Sequence, residues 1–325
     1  MGLAFPYLLF ANLISAILWV VSHKQKVVLI PLITLLLGWK HIGKVVQLSG
    51  EKSEISDSTS FNILTYNVRA FNIYKWNDSD SASSDILNLV KKEKAQIICF
   101  QEFIVDSRNE FNFNRIEQEL SNTPYKHYYG NNSNHDRTFL GLAMFSSYPI
   151  IKRGVIPFEN TFNASIYCDI IINYDTIRVY NNHLQSIKLG PDNYALIDTI
   201  KLNYTEQQLK GIKDISHRLR DAFIIRAKQA QRIKEHAEEC PYPVIICGDF
   251  NDTPISYTYH VLKKGLSDAF IESGKGIGNT YIGRLPSFRI DYILHSKELK
   301  AKNLECIKVD YSDHYPLKCK INIMK

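Results

Sequence analysis

Eight polar residues stand at or beside the ends of apolar runs in this chain of 325 residues. Asn67 closes NILTYN, Glu102 closes IICFQE and His183 closes RVYNNH. Asp249 and Asn251 follow the apolar start of PVIICGDFNDTP, Asp291 lies in RIDYIL, and Asp313 and His314 precede the last apolar run in YSDHYPL. Taken singly, Gly, Asp and Asn suit turns, a Glu suits a solvated edge, and a His is satisfied as a neutral imidazole. Taken together they say more. A strand end is rigid, so it can hold an oxygen ligand or an amide donor at fixed spacing. Strand ends of a packed sheet structure can also converge on one edge. Four carboxylates, two amides and two imidazoles gathered there would form one site able to bind a cation, hold a water and move protons.

The elements that must position these groups are short strands. Runs rich in Ile, Val, Tyr and Phe, several with period-two alternation, predict strands at 61–68, 97–103, 141–146, 165–172, 176–184, 244–249, 290–295 and 317–323. A helix is expected over 84–94, with Asp85 near its start. A longer one is expected within 206–239, where Leu209, Ile212, Leu219, Phe223, Ala230, Ile233 and Ala237 keep three- and four-residue spacing. Strands come both singly between helices and in consecutive runs, which argues for mixed sheets rather than a doubly wound parallel one.

The chain is 45% hydrophobic and 22% charged, ample for one large core or two smaller ones. Its net charge is +6, but residues 1–50 hold Lys24, Lys26, Lys40 and Lys44 and no acid, so the remainder carries only +2. A near-neutral body gives little electrostatic reason for tight, indiscriminate nucleic-acid binding. Residues 3–21 are almost unbroken apolar sequence, and crossing a bilayer core takes about 20 residues. A second run, 27–39, is shorter and contains Pro31. No positive n-region and no prompt small-x-small cleavage site mark a signal peptide. The expectation is a membrane anchor over 1–48 made of two transmembrane helices, with Trp19 and Trp39 at the interfaces. A buried helical hairpin is the soluble alternative. In a bacterial inner membrane, the loop Ser22-His23-Lys24-Gln25-Lys26 would lie in the cytoplasm and put the body outside, while Lys40 and Lys44 pull the other way. Residues 49–60, SGEKSEISDSTS, read as a polar linker, leaving 61–325 as the body. The six cysteines form no C-x-x-C pair and no zinc spacing, and Cys99 and Cys247 read as free buried thiols.

Tyr66-Asn67, Gln101-Glu102, Asn182-His183-Leu184, Gly248-Asp249-Phe250-Asn251, Arg289-Ile290-Asp291-Tyr292 and Ser312-Asp313-His314 resemble, in order, the motif set of the endonuclease/exonuclease/phosphatase superfamily. FSSYPI at 145–150 and the Arg-Ala-x-Gln-Ala run from Arg226 to Ala230 agree with it. The resemblance covers residues 61–325. It implies an α/β fold, a four-layer sandwich of two packed mixed β-sheets flanked by helices, here preceded by N-terminal transmembrane helices. It also implies a divalent-metal site and hydrolysis of a phosphate ester. By that similarity Glu102 would ligate Mg²⁺, with Mn²⁺ as the alternative ion, and Asn67 would hold or orient the shell. Asp313 would support a second metal or hydrogen-bond the site. Asp249 would orient or deprotonate the attacking water, and Asn251 would donate to a phosphoryl oxygen. Asp291 would fix the tautomer of His314, which acts either as base or as electrostatic clamp. His183 would bind phosphate or assist the leaving group.

Inositol-polyphosphate phosphatases carry Tyr-Arg after Gly-Asp-x-Asn, whereas Asn251 is followed by Asp252-Thr253, so their phosphate-binding arginine is missing here. Abasic-site nucleases share a segment like RIDYIL, but a membrane anchor suits a repair enzyme poorly. The Gly-Asp-Phe-Asn and Ser-Asp-His-Tyr-Pro forms are shared most closely with sphingomyelinase-like and deadenylase-like members. The resulting expectation is a membrane-anchored phosphodiesterase acting on a lipid phosphodiester or a nucleic acid, with no protein partner inferable. The alternative of another class is a non-catalytic binding module on the same scaffold. A missing metal carboxylate or imidazole would favour it, and none is missing.

Overall fold

Each of the eight runs expected as strands lies in a strand, and six further strands join them among the described residues. The structure, a computed structural model, describes residues 2–23, 25–48, 50, 59–73, 81–107, 111–133, 137–159, 161, 163–199, 205–283 and 287–324. The linker expected at 49–60 lies almost wholly outside the described residues.

After a 3-10 turn, Phe5–Val21 (α1) and Gln25–Leu37 (α2) pack against each other as a hairpin that turns at His23. Gly2–Val21 spans 20 residues and none of α1 is buried. At 1.5 Å per residue that is about 30 Å, the thickness of a bilayer core. The second expected span is shorter. With 13 residues ending before Gly38, α2 reaches only about 20 Å, and Trp39–Ile42 (α3) follows as a single turn. The chain then returns to the body. Val46–Gln47 (β1) pairs with Gly276–Ile277 (β11), Gly278 N donates to Val45 O at 3.2 Å, and Arg289 Nη2 donates to Lys44 O at 2.9 Å.

Two six-stranded sheets make the body. The first runs Leu299–Cys306 (β13), Leu317–Ile323 (β14), Ser60–Asn67 (β2), Ile97–Asp106 (β3), Thr138–Ser146 (β5) and Tyr125–Ser133 (β4). The second runs Ser267–Asp268 (β10), Asp291–His295 (β12), Val244–Asp249 (β9), Asp175–His183 (β8), Ala164–Ile172 (β7) and Ile150–Pro157 (β6). In each sheet one central pair is parallel, β2 with β3 and β8 with β9, and the other neighbours are antiparallel. The inner faces meet in a core that includes Ile63, Ile97 and Cys99 from the first sheet and Ile166, Val179, Ile245 and Cys247 from the second. Truncating one of these, such as Ile245→Ala, would cost about 2–5 kcal/mol. All six cysteines are free.

Helices cover the outer faces. Ala82–Glu93 (α4) and Phe113–Glu119 (α5) close the first sheet with Ile86, Leu87, Val90 and Ile116. Glu206–Glu238 (α7) and Tyr257–Lys263 (α8) close the second with Ala230, Ile233, Tyr259 and Leu262, and Ala269–Ser273 (α9) packs near its edge. The α7 start is fixed by a capping box between Thr205 and Gln208. Only its second half joins the core: Ala222, Arg226, Gln229, Ala230 and Ile233 are buried, while Leu209 is 53% exposed. The first half stands beside Pro191–Thr199 (α6), away from the sheet.

Candidate active site

The second sheet delivers three of its groups in one row. Asp291 on β12 lies opposite Asp249 on β9, which lies opposite His183 on β8, so the three side chains share a face at one end of the sheet. Gly248 makes this possible. Its φ is 121°, and a Cβ there would meet Asn182 O at 2.2 Å. Three residues on, Asn251 turns at φ 53° and folds its amide back. Asn251 Nδ2 donates to Leu184 O at 3.0 Å and to Asp249 Oδ2 at 3.2 Å, and Asn251 N donates to Asp249 Oδ1 at 2.8 Å. The donors expected at a phosphoryl oxygen are thus engaged inside the protein, because the left-handed turn points them at Asp249.

On the first sheet the register breaks at the site. Phe100 pairs with Ala143 and Phe103 with Gly141, so Gln101 and Glu102 together face Leu142 in a β-bulge. Glu102 takes φ 49° there, and its side chain, 37% exposed, turns into the cleft. Gln101 turns inward instead, donating through Nε2 to Asn181 Oδ1 of the second sheet at 2.6 Å. Asn181 returns two bonds, to Phe100 O at 2.9 Å and Ala143 O at 3.0 Å. This buried polar link sets one sheet against the other. Asn67, at the end of β2, reaches across with Nδ2 to Asp249 Oδ2 at 3.0 Å and, more loosely, to Glu102 Oε1 at 3.4 Å. Beyond it, Arg69–Asn72 is a left-handed run with φ from 42° to 59°, a strained conformation for residues with a Cβ. It brings Arg69 Nη1 to 2.9 Å from Asp313 Oδ2.

The loop before β14 supplies the last groups. Ser312 Oγ donates to Asn67 O at 2.8 Å, and His314 forms a bridge with Tyr281. Thr280 holds Asp291 and the residue after His314, since its Oγ1 accepts from Asp291 N at 3.1 Å and its carbonyl accepts from Tyr315 N. His314 Nδ1 lies 2.9 Å from Asp291 Oδ2 and its Nε2 lies 3.7 Å from Asp249 Oδ2. His183 Nε2 stands 3.7 Å from Glu102 Oε1 and 3.8 Å from Asp249 Oδ2, buried and with no hydrogen-bond partner. All eight expected residues therefore converge on one cleft. Asp313 differs from expectation in being paired with Arg69. Arg69, Thr280 and the Gln101–Asn181 link were not foreseen as part of the site.

Burial dominates the electrostatics. It would depress His314, but Asp291 and then Asp249 outweigh it and hold the imidazolium well above its ordinary range. Burial pushes the Asp249 carboxyl up to about 6, with His314 opposing and Asp291 adding to the rise. Burial likewise raises Glu102, helped by the charge of Asp313, and lowers His183. A crowd of carboxylates whose protons are held this way suits a cation. Asp249, Asp291 and His314 have ligand atoms within 4.8 Å of one another. The His314 ring, however, commits Nδ1 to Asp291 and turns Nε2 toward Asp249 without a hydrogen bond, a geometry suited to holding a proton. Glu102 could also hold a cation: its side chain opens to the cleft, with Asn67 Nδ2 at 3.4 Å and His183 Nε2 at 3.7 Å from Oε1. The acid-and-amide set fits a hard divalent ion that keeps several waters.

A family model described as "Endonuclease/Exonuclease/phosphatase family" matches residues 64–314. Residues 1–45 match a second one, "Domain of unknown function (DUF8431)". No curated protein matches the chain. Among solved structures, the endonuclease/exonuclease/phosphatase from Bacteroides vulgatus is similar at TM-score 0.60 and 14% identity, over 82% of this chain and 99% of that one. That from Beutenbergia cavernae DSM 12333 reaches TM-score 0.58 at 13% identity, over 82% and 72%. The human Nocturnin catalytic domain with bound sulfate anion reaches 0.56 at 18% identity, over 83% and 95%. These likenesses show the four-layer α/β fold. With the match over 64–314, the chain belongs to the endonuclease/exonuclease/phosphatase family, whose members are hydrolases of phosphate ester bonds.

Proposed function

We propose that this chain is a phosphodiesterase that requires a divalent cation, Mg²⁺ or Mn²⁺, and is held on a membrane by residues 1–48. The observation that carries the catalytic part is the position of Asp249. Its carboxylate accepts from Asn67 of the first sheet and stands 3.7 Å from His314 Nε2. From β9 of the second sheet it thus reaches groups carried by the first. Glu102 would hold the ion, with Asn67 orienting the shell and Asp313, steadied by Arg69, at its rim. A hard cation there supplies charge neutralisation for the non-bridging phosphoryl oxygens.

The protein's own groups handle the water. Asp249 accepts its proton as the water oxygen bonds to phosphorus and the ester P–O bond breaks. A base with a carboxyl near 6 is well matched to neutral pH. Asn251 positions Asp249 through two hydrogen bonds. The His314 imidazolium, fixed by Asp291, clamps the developing negative charge. His183 has a free Nε2 with which to donate to the phosphate or the departing oxygen.

Anchoring rests on α1, where Leu8, Phe10, Ile17 and Leu18 are each more than half exposed over a crossing-length helix. Both ends of the α1–α2 hairpin return to the body, so its His23 turn is the far tip. Lys26, just past that turn, favours the cytoplasm, which puts the body on the extracytoplasmic side. The test uses full-length protein in detergent with bis(4-nitrophenyl) phosphate. Hydrolysis is expected with Mg²⁺, faster than for 4-nitrophenyl phosphate, lost with EDTA and restored by Mg²⁺ or Mn²⁺. Activity that survives exhaustive chelation would sink the reading. Release from membranes by salt or carbonate, without detergent, would remove the anchor.

A further inference from the structure

The cleft above the catalytic groups is built for more than a phosphate. It holds about 540 Å³, with Glu102, Asp249 and His314 on its floor. Its walls are apolar: Ile187 after β8, Ile197 on α6, Ile215 and Leu219 on α7, and Leu3 and Tyr7 from the start of the chain. Two earlier oddities meet here. The first half of α7 keeps an apolar period without joining the core, and the N-terminus of the exposed helix docks beside the catalytic centre. Hydrolysis of a phosphate needs no such wall, and burying apolar surface in it is favourable only if the substrate brings apolar surface too.

A second groove continues from the first. About 250 Å³ lies between α1, through Phe5, Leu9 and Leu13, and the body, through Pro254, Ile255 and Phe288. Thr253 and Phe288 line both spaces. The path therefore runs from the catalytic floor along the flank of α1, toward the part of the helix that would enter a bilayer. Stitching of residues 44–47 to β11 and Arg289 keeps that path in register with the site. The charges disfavour a polyanion. Besides Asp252, which Arg226 neutralises, Glu102, Asp249 and Asp313 line the cleft against Arg69, Lys188 and His314, and Arg69 is already paired with Asp313. A nucleic-acid strand needs a track of cations along successive phosphates.

We propose that the substrate is a membrane lipid carrying a phosphate ester, its phosphate on the Glu102–Asp249–His314 floor and its chains against the α6–α7 wall and the flank of α1. The choice of lipid rests on the phosphodiesterase reading, and its test separates the two. Full-length protein in lipid nanodiscs with Mg²⁺ is titrated with butyl phosphate, dodecyl phosphate or tetrathymidylate, and binding is read as the rise in unfolding midpoint, which needs no turnover. Dodecyl phosphate is expected to give an equal rise at a concentration lower by at least about a hundredfold than butyl phosphate. In an Ile215→Asn, Leu219→Asn variant this chain-length gain should shrink below about tenfold. Ile197→Asn on the facing helix repeats the test if the double variant does not fold. A gain that persists in both variants reflects partitioning into the disc and overturns the assignment of the wall. Equal binding of the two alkyl phosphates, or tighter binding of tetrathymidylate, overturns the lipid proposal while hydrolysis of bis(4-nitrophenyl) phosphate leaves the enzyme reading intact. Absence of that hydrolysis alongside a chain-length gain sinks the enzyme reading alone.

Discussion

The two sheets build their halves of the cleft by opposite means. On the second, Asp291, Asp249 and His183 stand in one unbroken row across three adjacent strands. On the first, Glu102 reaches the cleft through a bulge, and Arg69 through a left-handed run. Regular register sets side chains at fixed spacing and suits groups that pass a proton among themselves. Irregular backbone aims single groups and suits ligands of a cation whose shell is completed by water. Under the proposed mechanism the sheets would divide the labour, with cation handling on the first and proton handling on the second, completed by His314 from the loop before β14.

The sharpest way to break this division is Asp249→Asn. Turnover should fall by roughly 10²–10⁴ while the Mg²⁺ concentration for half activation changes little. The unfolding midpoint should hardly move, because relief of a buried carboxylate offsets one misdirected amide hydrogen bond. Retention of more than about a tenth of the wild-type rate would remove Asp249 from the chemistry. On the other sheet, Glu102→Gln should raise the half-activating Mg²⁺ by about 10–100-fold, with much of the rate recovered at high Mg²⁺. If both variants shift the same parameter, the division is false.

Smaller effects probe what joins and charges the two halves. Gln101→Ala should cost about 1–3 kcal/mol in urea unfolding by stranding Asn181, and the Asn181→Ala pair should be clearly non-additive with it. The smallest effect concerns pH with chelator present. His314 is raised in the folded state, so its stabilising contribution is full below the ordinary histidine range and is lost as pH rises through its folded value. Asp249, raised to about 6, binds its proton more tightly when folded, so it too favours folding at the acid end and loses that as pH passes about 6. His183 is lowered and works the other way. The apo protein should therefore melt higher at pH 5 than at pH 8, and Mg²⁺ should flatten or reverse the slope. A midpoint that climbs steadily with pH in EDTA would contradict this balance.

How far the sequence reveals this follows from the same contrast. Strands buried on both faces read clearly, since PVIIC, IICF and their like are continuous apolar runs. The long strands left unassigned, β4, β6 and β13, all lie at sheet edges, where Lys126, Arg153, Lys300 and Lys302 break the pattern. In the cleft, residues at strand ends were legible because each closes an apolar run. Arg69 and Thr280 close none and act only through tertiary contact. Arg226 and Gln229 were legible as a motif but not in their task. Arg226 pairs with Asp252 and donates to Gln185 O, while Gln229 accepts from Gln185 N, and together they strap down the loop after His183. The apolar period of α7 located the helix but not what it faces, because a helix covering a core and a helix lining a cleft share one spacing.

The order in which the chain fills its sheets has a further consequence, in time rather than space. Residues 60–146 enter the first sheet, 150–295 build the second, and only 299–323 return to the first. His314 comes just before β14, the strand that pairs with β2. A nascent chain that stops short of this return already holds Asn67, Glu102, His183, Asp249 and Asp291. It lacks the imidazolium and leaves the edge of β2 bare. Vectorial synthesis therefore supplies His314 last, and a chain released before that return would leave the edge of β2 bare and open to aggregation.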